Sequence, residues 1–206
     1  MVFRLMISYA RSGGTVLNRC LASLPSVVML SEVNPDRADD GSAACKTVKD
    51  QARAWYGIDL RSNGYLDNVI ELTRLCEGDG RVLVIRDWPV INFVPTEENH
   101  RTPAGRLTAL ELLRRHGEVR AFGLVRDAID IWISNGRRRN FFGGYRRYVD
   151  ALTAAGIPLF QYESLAADPA PILRRICETL GVTYTDDWRA FAGWTRVTGD
   201  VRTPGH

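Results

Sequence analysis

The chain has 206 residues and a net charge of +3, with 45% hydrophobic and 25% charged residues. That composition fits one soluble, globular domain, or one domain with a large insertion, with a core of its own. No apolar run reaches the roughly 18 residues of a membrane-spanning helix, and a charge this small does not by itself call for nucleic acid.

The opening stretch "MVFRLMISYA" carries Arg4 within a short apolar run and no small-residue cleavage site. It reads as a first strand rather than a secretion signal. Strand-like runs follow at 27–30, 81–86, 119–125 and 157–162, after a first one at 3–9. Helical patterns fall at 15–24, 47–57, 65–77, 106–116, 127–137, 144–155 and 169–180. Alternation of this kind predicts an α/β domain with a mainly parallel sheet, its ligand at the carboxyl ends of the strands. In the last helix Asp168 is a candidate N-cap, Pro169 suits the first turn and Gly181 the close. The stretches 31–46 and 88–105 read as long loops, and "GRRRNFFGGYRR" as a mobile loop. No repeat or linker interrupts the chain, so residues 1–206 read as a single domain.

The first chemical signal is "ISYARSGGTVLNRCL". A strand meets Arg11, Ser12, Gly13, Gly14 and Thr15, and a helix follows. Two glycines let the backbone turn and present amides, and the helix N-terminus attracts anions. Arg11 and the Ser12 and Thr15 hydroxyls add donors. The loop lacks the Gly-Lys-Ser/Thr ending of a nucleotide triphosphatase.

The second is "FGLVRDAIDIWIS". Arg126 ends a strand, Asp127 is placed to cap the next helix, and Ser134 lies about two turns along it. An arginine and a serine so arranged can converge on one phosphate.

Together these two elements resemble the sulfotransferases that use 3'-phosphoadenosine 5'-phosphosulfate (PAPS). "ARSGGT" is similar to that family's 5'-phosphosulfate loop, with Ala10 for the usual Pro and Gly14 for a Thr or Ser. "VRDAIDIWIS" is similar to its 3'-phosphate element. The resemblance implies a three-layer sandwich, the P-loop NTPase-like sulfotransferase fold, with the acceptor-side segments within 31–118. It also implies a cradle of Arg11, Ser12, Gly13, Gly14, Thr15 and Val16, and a 3'-phosphate site of Arg126 and Ser134. "QYESLAADP" resembles a later conserved segment and brings in Tyr162. "VTGDVRTPGH" resembles the closing C-terminal segment, with Arg202 or the backbone near Gly199 and Gly205 as contacts.

Glu32, delivered by the strand in "VVMLSEVNP", sits where part of that family carries its base, and sulfuryl transfer to an alcohol needs one near the acceptor oxygen. Arg11 joins it as a catalytic candidate, offsetting charge on the leaving phosphate. "RVLVIRDW" offers Arg86 and Asp87, and the 88–105 loop offers His100, as acceptor-side candidates. His116 reads as a surface residue and His206 as terminal. Cys20, Cys45, Cys76 and Cys177 are scattered without metal spacing, so free thiols, no metal and a cytoplasmic setting are expected.

The expected reaction moves a sulfuryl group from PAPS to a hydroxyl or amine, leaving the desulfated 3',5'-bisphosphate (PAP). The expected partner is a small-molecule, carbohydrate or lipid acceptor, with no nucleic acid and no membrane span; a homodimer stays open. Two other readings stand beside it. One is an ATP- and magnesium-dependent phosphotransferase in which Asp87 ligates the metal. The other is a non-catalytic anion- or RNA-binding module.

Overall fold

In the computed structural model, which describes residues 1–37, 47–95 and 103–198, five strands form one sheet. They are β1 (Val2–Ser8), β2 (Val27–Val33), β3 (Val82–Asp87), β4 (Glu118–Val125) and β5 (Leu159–Gln161). Their spatial order is β2-β3-β1-β4-β5, and every neighbouring pair is parallel.

Period-two alternation divides the core. Phe3, Leu5 and Ile7 of β1, Val28 and Leu30 of β2, and Leu83 and Ile85 of β3 face one side. Met6, Val27, Met29, Val84, Phe122 and Leu124 face the other. Helices α2 (Val48–Tyr56) and α3 (Tyr65–Gly78), the single turn α4 (Val90–Phe93), α5 (Thr108–Arg114), α6 (Ala128–Ser134) and α7 (Phe141–Ala154) serve the first side. Helix α1 (Gly14–Ala22), the short α8 (Tyr162–Ala167), α9 (Pro169–Leu180) and a 3-10 helix over Asp186–Gly193 serve the second. This is the expected three-layer sandwich, with a sheet that is wholly parallel.

Local corrections have clear causes. Asp168 makes no side-chain cap on α9, which relies on Pro169 in its first turn and Gly181 in the left-handed region. Arg4 donates from Nε to the carbonyl of Leu180 at the α9 C-terminus. The arginine-aromatic stretch is helical from Phe141 on, because Tyr145 and Tyr148 lie one turn apart on a buried face. The Tyr148 hydroxyl bridges the carbonyls of Ile7 and Leu124, tying the ends of β1 and β4. Part of the expected 88–105 loop is the helical turn α4. Cys20, Cys76 and Cys177 are free and buried, and burial raises each thiol to about 11.

Candidate active site

The loop after β1 is tightly built. Ser12 is buried, and both its amide and its hydroxyl donate to the carbonyl of Tyr9. The Ser12 side chain therefore closes the turn rather than adding a donor to the cleft. Arg11 sits at φ 66, in the left-handed region, a conformation that is rare and strained for a residue with a Cβ. Gly13, at φ 89, is the N-cap of α1, and a Cβ there would collide with the ring of Tyr162. A Cβ on Gly14 would lie 2.5 Å from the Ser8 hydroxyl and 2.9 Å from Arg86 Nη2. Both glycines are thus required by close approach. The leading N–H groups of α1 have no intrahelical acceptor, and Gly13, Gly14, Thr15 and Val16 line a cleft of about 720 Å³.

Strand alternation separates Arg86 from Asp87. Arg86 points to the α1 side. Its side chain is 3% exposed, and it donates to Ser8 Oγ (3.1 Å), Thr15 Oγ1 (3.4 Å) and Glu32 Oε1 (2.8 Å). Burial lowers the Arg86 pKa, and the Glu32 carboxylate opposes that shift.

Asp87 points to the other side and is fully buried. It accepts from Asn34 Nδ2 at 2.7 Å, while its second oxygen has no partner among the described residues. Asn34 Nδ2 also donates to Asn92 Oδ1, and Asn92 Nδ2 donates to Asp36. Burial pushes the Asp87 carboxyl up to about 7, against the bonds from Asn34 and the Trp88 backbone.

Glu32 reaches Arg86 through a bulge. The β2–β3 register shifts between Leu30 and Val33, and Glu32 has φ 55. Plain alternation would place Glu32 on the Leu30 side. The extra residue re-aims it toward α1 and returns Val33 to the same core as Val28 and Leu30. Thr198 closes over this point. Its amide donates to Ser31 Oγ, and its hydroxyl lies 3.0 Å from the Ser31 carbonyl and 3.4 Å from Glu32 Oε2. Arg37 donates to the Glu32 carbonyl and stacks on Trp88.

The second element folds as its sequence suggests. Asp127 caps α6 by accepting from the amides of Ile129 and Asp130. Arg126 donates to the Arg11 carbonyl and to Asp130, and its guanidinium lies 4.8 Å from the centre of the Tyr162 ring. Arg126 Nε is buried without a partner among the described residues. The hydroxyl of Tyr145 accepts from the Arg126 amide and donates to its carbonyl. Ser134, the last residue of α6, accepts from Arg11 Nε through both its carbonyl and its hydroxyl.

Arg11, Gly13, Gly14, Thr15, Val16, Glu32, Arg86, Arg126 and Ser134 therefore share one cleft. Tyr162 supports it from behind Gly13, and Asp87 is walled off from it. His100, Arg202, Gly199, Gly205, Cys45 and His206 lie outside the described residues. Ser8 and Tyr145 join the site without having been anticipated, and their only sequence signal is position at a strand end or at helical spacing. Trp88 and Thr198 fall in the "RVLVIRDW" and "VTGDVRTPGH" stretches already singled out, though neither was named as a contact.

The residues suit a ligand with anionic groups, such as a doubly phosphorylated nucleotide would bring. The loop is a cradle that a Cβ would fill, the orphaned Arg126 Nε waits on a polar partner, and all the basic groups are arginines. The cation beside Thr15 is the Arg86 guanidinium. Asp87, the metal ligand of the magnesium-dependent reading, faces the opposite layer and bonds to Asn34. Among the described residues no group of three His, Cys, Asp or Glu side chains could hold a metal.

The chain is similar in structure to the sulfotransferase domain of the olefin synthase of Synechococcus PCC 7002. That likeness has a TM-score of 0.57 and 17% identity, and covers 99% of this chain and 81% of that one. The sulfotransferase domain of the curacin biosynthetic pathway matches at TM-score 0.55 and 14% identity, over 98% and 81% of the two chains. A sulfotransferase from Alicyclobacillus acidocaldarius matches at 0.50 and 16%, over 94% and 92%. No protein-family model and no curated protein matches the sequence. The chain has the sulfotransferase fold.

Proposed function

From that fold and this cleft, we propose that the protein transfers a sulfuryl group from PAPS to an acceptor hydroxyl or amine, releasing PAP. The observation that carries the reading is the convergence of the two anion elements. Arg11 bonds to Ser134, and Arg126 bonds back to the Arg11 carbonyl, so the loop and α6 form one continuous anion site.

PAPS supplies the sulfuryl group when bound. The chain supplies the rest. The amides of the α1 N-terminus and the Arg11 guanidinium hold the 5' end and offset charge on the leaving phosphate. Arg126 and Ser134 take the 3'-phosphate, with Tyr162 bracing Arg126. Glu32 accepts the acceptor proton, held in place by Arg86, the bulge and Thr198. Arg86, bonded to Ser8, Thr15 and Glu32, would add positive charge beside the bound sulfuryl group. Catalysis then rests on positioning and fixed donors.

Calorimetry with PAP and with magnesium-ATP tests the assignment. Tighter binding of PAP is expected, and tighter binding of magnesium-ATP reverses it.

A further inference from the structure

A second cavity, of about 560 Å³, opens beside the anion cleft and shares Ala10, Trp88, Asn135 and Arg138 with it. A volume of this order suits one small organic ligand. One wall is apolar, and Asn135, Arg138, Arg139 and Asn140 supply the polar remainder. Tyr9 and Phe141 are buried and packed edge to face at 5.9 Å between ring centroids, and Val90, Val94 and half-buried Trp88 continue the surface. Tyr9 is fixed further by Tyr145 and Tyr148, so this wall is preformed.

Among the described residues the mouth carries charge of one sign. Arg138 and Arg139 line it, both exposed, and no acidic residue is among its described lining residues. Arg138 also lines the anion cleft, but Arg139 lines the second cavity alone. Arg11, Arg126 and Ser134 already supply an anion site on the other side of the shared residues. Arg139 therefore faces whatever occupies the second cavity, and Arg138 stands between that occupant and the anion cleft.

We propose that the acceptor is a hydroxylated organic acid with an apolar body. Its chain or ring lies against Trp88, Val90, Val94 and Phe141, its hydroxyl points through the shared opening toward Glu32, and its carboxylate or similar anion pairs with Arg138 and Arg139. The identification of this ligand as acceptor rests on the sulfotransferase reading; the binding preference does not.

The test uses the nucleotide-free protein and a matched pair of probes, a long-chain ω-hydroxy acid and its methyl ester, in calorimetry. The acid should bind about fivefold tighter or more, the scale of two exposed ion pairs. Arg138→Ala with Arg139→Ala should abolish that preference, and Trp88→Ala should weaken both probes. Equal binding of acid and ester to the native protein, or a preference that survives the double arginine change, overturns the proposal. So does loss of PAP affinity in Arg139→Ala alone, which would assign that residue to the nucleotide. Failure of the native protein to bind PAP instead sinks the sulfotransferase reading, and the acid-over-ester preference is still read directly.

Discussion

Arg11 Nε donates to Ser134 twice, to its carbonyl at 3.0 Å and to its hydroxyl at 3.2 Å, across 123 residues of sequence. The bond joins the loop after β1 to the end of α6, and it exists because Arg11 adopts a left-handed backbone at φ 66. A strained residue persists where its surroundings over-determine it. Here Ser12 closes the turn below Arg11, and Arg126 holds its carbonyl from above.

On the proposed reading, Arg126 should carry the largest share of nucleotide affinity. Its orphaned Nε is aligned by the Tyr145 clamp and the Tyr162 ring, so little reorganisation accompanies binding. A hydrogen bond to a charged group contributes about 1.5–3 kcal/mol. Arg126→Ala should therefore weaken PAP binding by about ten- to a hundredfold, whereas Ser134→Ala, losing a hydroxyl only, should weaken it by about fivefold. Calorimetry with PAP measures both, and unchanged affinity in Arg126→Ala removes it from the site.

Glu32 is testable without emptying the cleft. Glu32→Gln keeps one oxygen for Arg86 Nη2, and its NH2 can donate to the Thr198 hydroxyl in place of the bond Oε2 now accepts, so the fold and PAP affinity should hold. Removal of a positioned base lowers turnover by about 10²–10⁴. Glu32→Ala is a different experiment, because it strands the Arg86 guanidinium, only 3% exposed, without its partner. Breaking such a pair costs about 3–5 kcal/mol, and the melting temperature should fall accordingly. A turnover assay beside a thermal melt separates the two variants.

What the residues disclose in sequence follows from how local each feature is. The Gly13–Gly14 turn and the Asp127 cap are short-range devices, written within four residues of where they act, and both anion elements are legible for that reason. Glu32 is legible as a residue type at a strand end, but its aim is not. That depends on a bulge visible only once β2 is paired with β3, where Val33 rejoins the Leu30 core. Period two assigns Arg86 and Asp87 to opposite faces, yet which face meets the loop is decided by the β1–β3 pairing. Tyr145 and Tyr148 act on backbone groups 19 to 141 residues away, and no pattern in their own neighbourhoods marks that; Thr198 lies in the segment read as closing, but its hold on the Ser31 carbonyl, 167 residues away, is visible only in the fold. The apolar cavity is built from α4, α7 and the β1 loop, which only the tertiary fold brings together.

Gly13 should tolerate no side chain. Its φ of 89 is strained for any residue with a Cβ, and that Cβ would meet the Tyr162 ring. Backbone strain of this type costs about 1–3 kcal/mol, and the overlap adds to it. Gly13→Ala should melt several degrees lower, at about 2–4 °C per kcal/mol for a domain of this size, and bind PAP poorly because Arg126 loses its brace. Adding Tyr162→Ala should recover part of the stability by removing the overlap. A double variant no more stable than the single one would show that the ring contact is not the cause.

Asp87 should give the protein a pH-dependent stability of unusual sign for a carboxylate. Its folded pKa, about 7, lies above the unfolded value near 3.8, because burial penalises the charge more than Asn34 and the Trp88 backbone relieve it. Between these values the folded state binds more protons than the unfolded one, so stability falls as pH rises. The contribution is fully present below about pH 4, declines through the interval, and is lost above about pH 7. Three pKa units correspond to roughly 4 kcal/mol as an upper scale. Asp87→Asn keeps an oxygen for Asn34 and carries no charge at any pH. Urea unfolding at pH 5 and pH 8 should therefore show the native protein losing more stability between the two than Asp87→Asn does. An equal change in both proteins would mean that Asp87 is ionised throughout, with its charge compensated within the Asn34–Asn92 network.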